Sequence, residues 1–168
     1  MALPILQNIA NVLLARLKLI TIANGYQFEA DDVSMVSRDL NDWQPGPRKI
    51  LIDQKEETEV EELSYPGNPP AIAWNVTFEI WGFASSLDYP AGEIGIGADS
   101  TTENQMIAAI KKAVVAGDST GWMNFGGDAI NAHFTSSRPN DSQGHNGVLV
   151  SLDVLYRIRE TDPYTASA

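Results

Sequence analysis

Trp74-Asn75-Val76-Thr77-Phe78-Glu79-Ile80-Trp81-Gly82-Phe83 alternates apolar and polar side chains along its length. Alternation with a period of two is the mark of a strand with one buried face. Trp74, Val76, Phe78 and Ile80 fall on one face. Asn75, Thr77, Glu79 and Trp81 fall on the other, where Trp81 is a large aromatic on the more polar side. A second stretch, Val148-Leu149-Val150-Ser151-Leu152-Asp153-Val154-Leu155-Tyr156-Arg157-Ile158, has the same character. Between the two, Ser100 and Glu103 form a capping box that opens an amphipathic helix ending near Val115. Its apolar stripe is Met106, Ile107, Ile110, Ala113 and Val114. Half-polar strands combined with amphipathic helices predict an α+β fold: a mixed or antiparallel sheet with two helices packed on one face.

The second helix of that pair is read at the N-terminus. Ile5, Ile9, Val12, Leu13, Arg16, Leu17 and Ile20 fall mostly at three- and four-residue spacings over Pro4–Ala23, with Pro4 in the first turn and Asn24-Gly25 as the stop. Tyr26–Arg38 reads as extended chain, and Asn41–Pro47 as a loop. Ile50-Leu51-Ile52 predicts a short strand, Lys55-Glu56-Glu57 a turn, and Thr58–Leu63 a return strand. Ala84–Asp99 is a Gly-rich connection, Ala129–Phe134 a further strand, and Ser136–Gly147 a polar, mobile loop. Residues 1–168 read as a single domain with an ordered core of about 4–159, and Glu160–Ala168 as a loose tail.

Charge and composition narrow the function classes. The 168 residues carry a formal charge of −11 and no cysteine. Disulfides, thiolate catalysis and Cys-ligated zinc are excluded. A broad nucleic-acid-binding surface needs clustered Lys and Arg, and only Arg48-Lys49 and Lys111-Lys112 are adjacent basic pairs. No run of roughly 20 apolar residues is present to span a bilayer. The N-terminal residues lack a basic region and a small-residue cleavage site, so neither a signal peptide nor a membrane partner is expected.

Candidate chemistry is sparse. His133 and His145 are the two histidines. Ser136, His133 and Asp128 or Asp141 match a hydrolase triad by composition only, without a nucleophile elbow. The two histidines with Asp141 make an equally weak metal set. Gly92–Gly97 lacks the spacing and Lys-Ser/Thr ending of a phosphate loop. No enzyme activity and no cofactor are expected. Glu56, Glu57, Glu59, Glu61 and Glu62 make the densest acidic run, read as a solvated hairpin or as a surface that repels passing phosphate. Trp43, Trp81 and Trp122 are the candidate anchors for a partner, although a loop Trp such as Trp43 also folds readily onto its own core.

The order of elements carries a resemblance. The helix ending in Asn24-Gly25-Tyr26 is followed by Val33-Ser34-Met35-Val36, the aromatic and proline loop Trp43–Pro47, and Ile50-Leu51-Ile52. Then come Pro69-Pro70-Ala71-Ile72-Ala73-Trp74 with its long strand, the Thr102–Val115 helix, Trp122-Met123-Asn124-Phe125-Gly126-Gly127, and Gly147–Arg157. From about Leu6 to Arg159 this succession resembles the tail terminator and tail-completion proteins of tailed bacteriophages. The resemblance implies a structural virion protein without cofactor or reaction. It implies a homo-oligomeric ring, usually hexameric, that forms in solution or only on the tail. Such a ring caps the tail tube protein, stops its polymerisation and meets the head-tail connector protein, while DNA passes without specific binding. The corresponding location is the virion tail or neck, with host cytoplasm during assembly. Another neck or head-completion component, and a small hydrolase or binding module, are the alternative readings.

Overall fold

The computed structural model describes residues 4–36, 46–66, 70–84, 101–118, 123–142, 145–159 and 162–166. The elements in chain order are α1 (Ile5–Leu17), β1 (Asp32–Met35), β2 (Lys49–Glu59), β3 (Ala71–Phe83), α2 (Thr101–Val115), β4 (Asn131–Ser142), β5 (His145–Arg159) and β6 (Asp162–Ala166). The strands form one mixed sheet in the order β1-β2-β3-β5-β4, with β6 paired to the far end of β5. Among the described strands, only β1 and β2 pair in parallel. The fold is α+β, with both helices packed on one sheet face.

The two alternating stretches form the centre of the sheet. β3 and β5 pair antiparallel without a shift from Ala71–Arg159 to Phe83–Gly147. Even-numbered residues point to the helices: Ile50 and Ile52 on β2, Val76, Phe78 and Ile80 on β3, Val148, Val150, Leu152 and Val154 on β5. They meet Ile9, Leu13 and Leu17 of α1 and Met106, Ile110, Ala113 and Val114 of α2, all fully buried. Removing that apolar surface from water, at roughly 25 cal/mol per Å², is the main drive for the fold.

One polar contact locks the helices together. The Arg16 guanidinium of α1 makes a two-pronged ion pair with Asp118, just past α2, at 2.8 and 2.9 Å. Arg16 also donates to the Val114 carbonyl at 2.5 Å and lies 5.0 Å from the Phe125 ring centroid.

Four expectations are corrected. The first helix is shorter than Pro4–Ala23. It stops at Leu17 because Thr21 is extended (φ −138°, ψ 152°) and its hydroxyl caps a separate 3-10 turn, Ile22–Asn24. No hairpin turn occurs at Lys55-Glu56-Glu57. A β-bulge between Gln54 and Glu57 absorbs the extra residue, and β2 continues along β3 to the pair Glu59–Trp74. The chain instead turns at Glu61–Leu63. The expected loop Ser136–Gly147 is mostly strand, since β4 pairs with β5 as far as Ser142–His145. Polar composition hid it, and Pro139 is tolerated because β4 is an edge strand. The expected loose tail contributes β6, which pairs with Ile158 and Arg159.

Candidate functional surface

The helix-free face of the sheet gathers the polar side of every long strand. Its side chains fall into rows set by the register. Ser34, Leu51, Trp81, Leu149 and Arg138 form one row across β1, β2, β3, β5 and β4. The adjacent row toward Phe83 runs Asp32, Lys49, Phe83, Gly147 and Asn140. Leu51 and Phe83 are 1% exposed and Leu149 is 5% exposed, so the centre of this end of the face is apolar and enclosed, while Asp32 and Arg138 at its flanks are exposed. Trp81 sits in it as the alternation predicts. It is half-buried, and its indole nitrogen is shielded from solvent. It therefore does not stand out as a free anchor. Trp43 and Trp122, the other two candidate anchors, lie outside the described residues, as do Ser100 and Gly92–Gly97.

Toward the other end the face becomes polar. Asp53 and Glu79 are register partners, and the Lys55 ammonium reaches both, at 2.5 and 2.9 Å. Burial opposes the charge on Lys55, but the hydrogen bonds and charges of the two carboxylates outweigh it and raise its pKa above the ordinary 10.5. A lysine with a raised folded-state pKa adds stability below its unfolded value and loses it as pH climbs through the folded one. The destabilisation caused by Lys55→Met should therefore be present at neutral pH and shrink above about pH 10.5, the ordinary value. Urea midpoints of both proteins across that range check this.

Thr77 donates its hydroxyl to Asp153 at 2.6 Å, and Ser136 and Ser151 share a hydrogen bond at 3.0 Å. His133 is exposed and lies opposite Asp153. Among the described side chains, the version of the triad that uses Asp128 is not assembled. The Ser136 hydroxyl is engaged with Ser151, and Asp128 follows a 3-10 turn outside the sheet. Burial raises the pKa of Asp128. The side chains of Asp141 and His145 are not among those described, although both residues belong to paired strands. Among the described residues no group of three or more His, Cys, Asp or Glu is placed to hold a metal, and no helix is long and apolar enough to cross a membrane.

The acidic run belongs to the sheet edge. β1 covers β2 only from Lys49 to Ile52. Beyond that, among the described residues, no strand pairs with the outer side of β2. Glu56 and Glu59 of this stretch, with Glu61 and Glu62 of the following turn, are exposed. Glu57 differs from the other four: it is half-buried on the helix side and accepts the hydroxyl hydrogen of Tyr156. Periodicity could not single out Glu57, because the bulge resets the face on which residues after Gln54 fall. At the opposite edge, His133, Thr135, Ser136, Arg138 and Pro139 of β4 are exposed.

Comparison with protein-family models and with curated proteins finds no match.

Proposed function

We propose that this chain is a structural virion subunit: a tail terminator that closes into a ring on the finished tail tube and offers the surface that meets the head-tail connector. The observation that carries the reading is the order of elements from the N-terminal helix to the closing strand, on which the resemblance to tail terminators rests. The α+β sheet with both helices on one face is compatible with it. The balance of −11 suits a channel wall that DNA crosses, because a surface of like charge does not trap phosphate. No reaction and no cofactor belong to this role.

The test is templated assembly. Purified protein is mixed with tail tube ends and imaged, and its mass is measured by light scattering with and without tubes. Closed rings on the ends, and tubes that no longer elongate, are the expected result. A wild-type protein that forms no ring in either setting overturns the reading. Particles assembled without the protein should carry overlong or uncapped tails; normal tails that fail to join heads would instead indicate a head-completion role.

A further inference from the structure

We propose that copies of this chain join edge to edge, the β4 edge of one pairing antiparallel with the β1–β2 edge of the next, so that the sheet continues through the contact. The proposal rests on the ring reading above and names its interface.

Strand direction is the first argument. β2, β3, β5 and β4 alternate in direction across the sheet, since each neighbouring pair is antiparallel. β4 therefore runs opposite to β2, and β1 runs with β2. A neighbour related by rotation about an axis along the strands presents its β1–β2 edge to β4 in the antiparallel sense, with its helices on the same side. Such a head-to-tail contact closes into a ring when the rotation allows.

Charge is the second argument. The β1–β2 edge exposes Asp31, Asp32, Glu56 and Glu59. The β4 edge carries Arg138 and His133, and its one acidic residue is Asp141 near the far end. Two β1–β2 edges would set acid against acid. Two β4 edges would set Arg138 of one copy against Arg138 of the other, while Pro139 leaves any partner strand one hydrogen bond short. Both self-matching contacts are thus disfavoured, and the unlike pairing is left, by the devices that natural sheets use to control edge association.

Shape is the third. The row Gln54–Phe78–Leu152–Phe134 is flanked by the two edge bulges, one between Gln54 and Glu57 and one between Phe134 and Ser136. Bulges increase local twist, which a sheet needs if it is to curve around an axis.

The chain has no cysteine, so thiols can be placed cleanly. Thr58 and Thr135 are exposed on the two edges. Assembled Thr58→Cys, Thr135→Cys and the double variant are treated with a short flexible bis-maleimide, which tolerates a register shift. The expected pattern is no product from either single variant, dimers from their mixture, and a ladder up to the full ring from the double variant. Dimers from a single variant mean a self-matching contact and overturn the proposal. Rings that form but give no cross-linked product overturn it while leaving the ring reading intact. No ring from the wild type, run beside them, overturns both. A parallel arm uses the double variant Glu56→Lys with Glu59→Lys. Loss of rings, with an unchanged circular dichroism spectrum, is expected. Intact rings with slowed genome ejection would assign the acidic run to the lumen instead, against the proposal.

Discussion

Asp118→Ala is expected to destabilise the protein by about 3–5 kcal/mol, the range for removing one partner of a buried ion pair. The Asp118 side chain is 3% exposed and that of Arg16 11%, so solvent screens the pair little. Taking away the carboxylate leaves a guanidinium in a site built for charge, with only the Val114 carbonyl and the Phe125 ring beside it. Marginal stability of roughly 5–15 kcal/mol makes a loss of that size visible as a large fall in urea midpoint or as insoluble protein. Arg16→Met should cost a comparable amount. The double variant Arg16→Met with Asp118→Leu should be far less damaged than the sum, because neither charge is then stranded. A double variant as unstable as the sum of the singles would show that the two residues act independently. Urea denaturation of the four proteins measures this.

That clamp shows what the sequence conceals. Arg16 stands within a helical stripe, and Asp118 lies in a Gly-Asp-Ser-Thr-Gly segment that reads as a turn. They are 102 positions apart, and no local pattern links them. Elements with strong periodicity were legible: β3, β5 and α2 fall close to where alternation and the helical stripe put them. Segments whose structure depends on a neighbour were not. From Ser136 onward β4 reads as a polar loop because an edge strand has no need of apolar residues on its outer face; what makes it a strand is the pairing with β5. The β2 bulge is hidden for the same reason, since Lys55-Glu56-Glu57 has turn-like composition and only the partner strand shows that the chain runs on. The acidic run was visible as charge, but its place on a sheet edge, and the separate bond from Tyr156 to Glu57, follow from register.

Glycine at the Gly82–Gly147 crossing carries the second large expected effect. Gly147→Ala should destabilise more than Gly82→Ala, although both put one methyl group into the sheet. A Cβ on Gly147 runs into the backbone carbonyl oxygen of Gly82, with the Phe83 ring at 3.3 Å. Backbone held in the ladder cannot step aside without breaking the adjacent pairs Phe83–Gly147 and Gly82–Val148. A Cβ on Gly82 instead meets Met106 Sδ at 2.6 Å and Ile110 Cδ1 at 3.2 Å. Those are ends of side chains, and an unbranched methionine can move its thioether at modest cost. Overpacking of that kind costs typically about 1–3 kcal/mol. Gly147→Ala should lie at or beyond the top of that range and should also loosen the start of β5, because the displaced backbone belongs to the ladder itself. Hydrogen exchange gives the distinguishing signature. Gly82→Ala should leave amide protection across β3 and β5 largely intact. Gly147→Ala should lower it at Val148–Val150 and at Trp81–Phe83, with protection near Ala73 and Arg157 retained. Equal stability losses, or equal protection maps, would mean that the backbone contact relaxes as easily as the side-chain one.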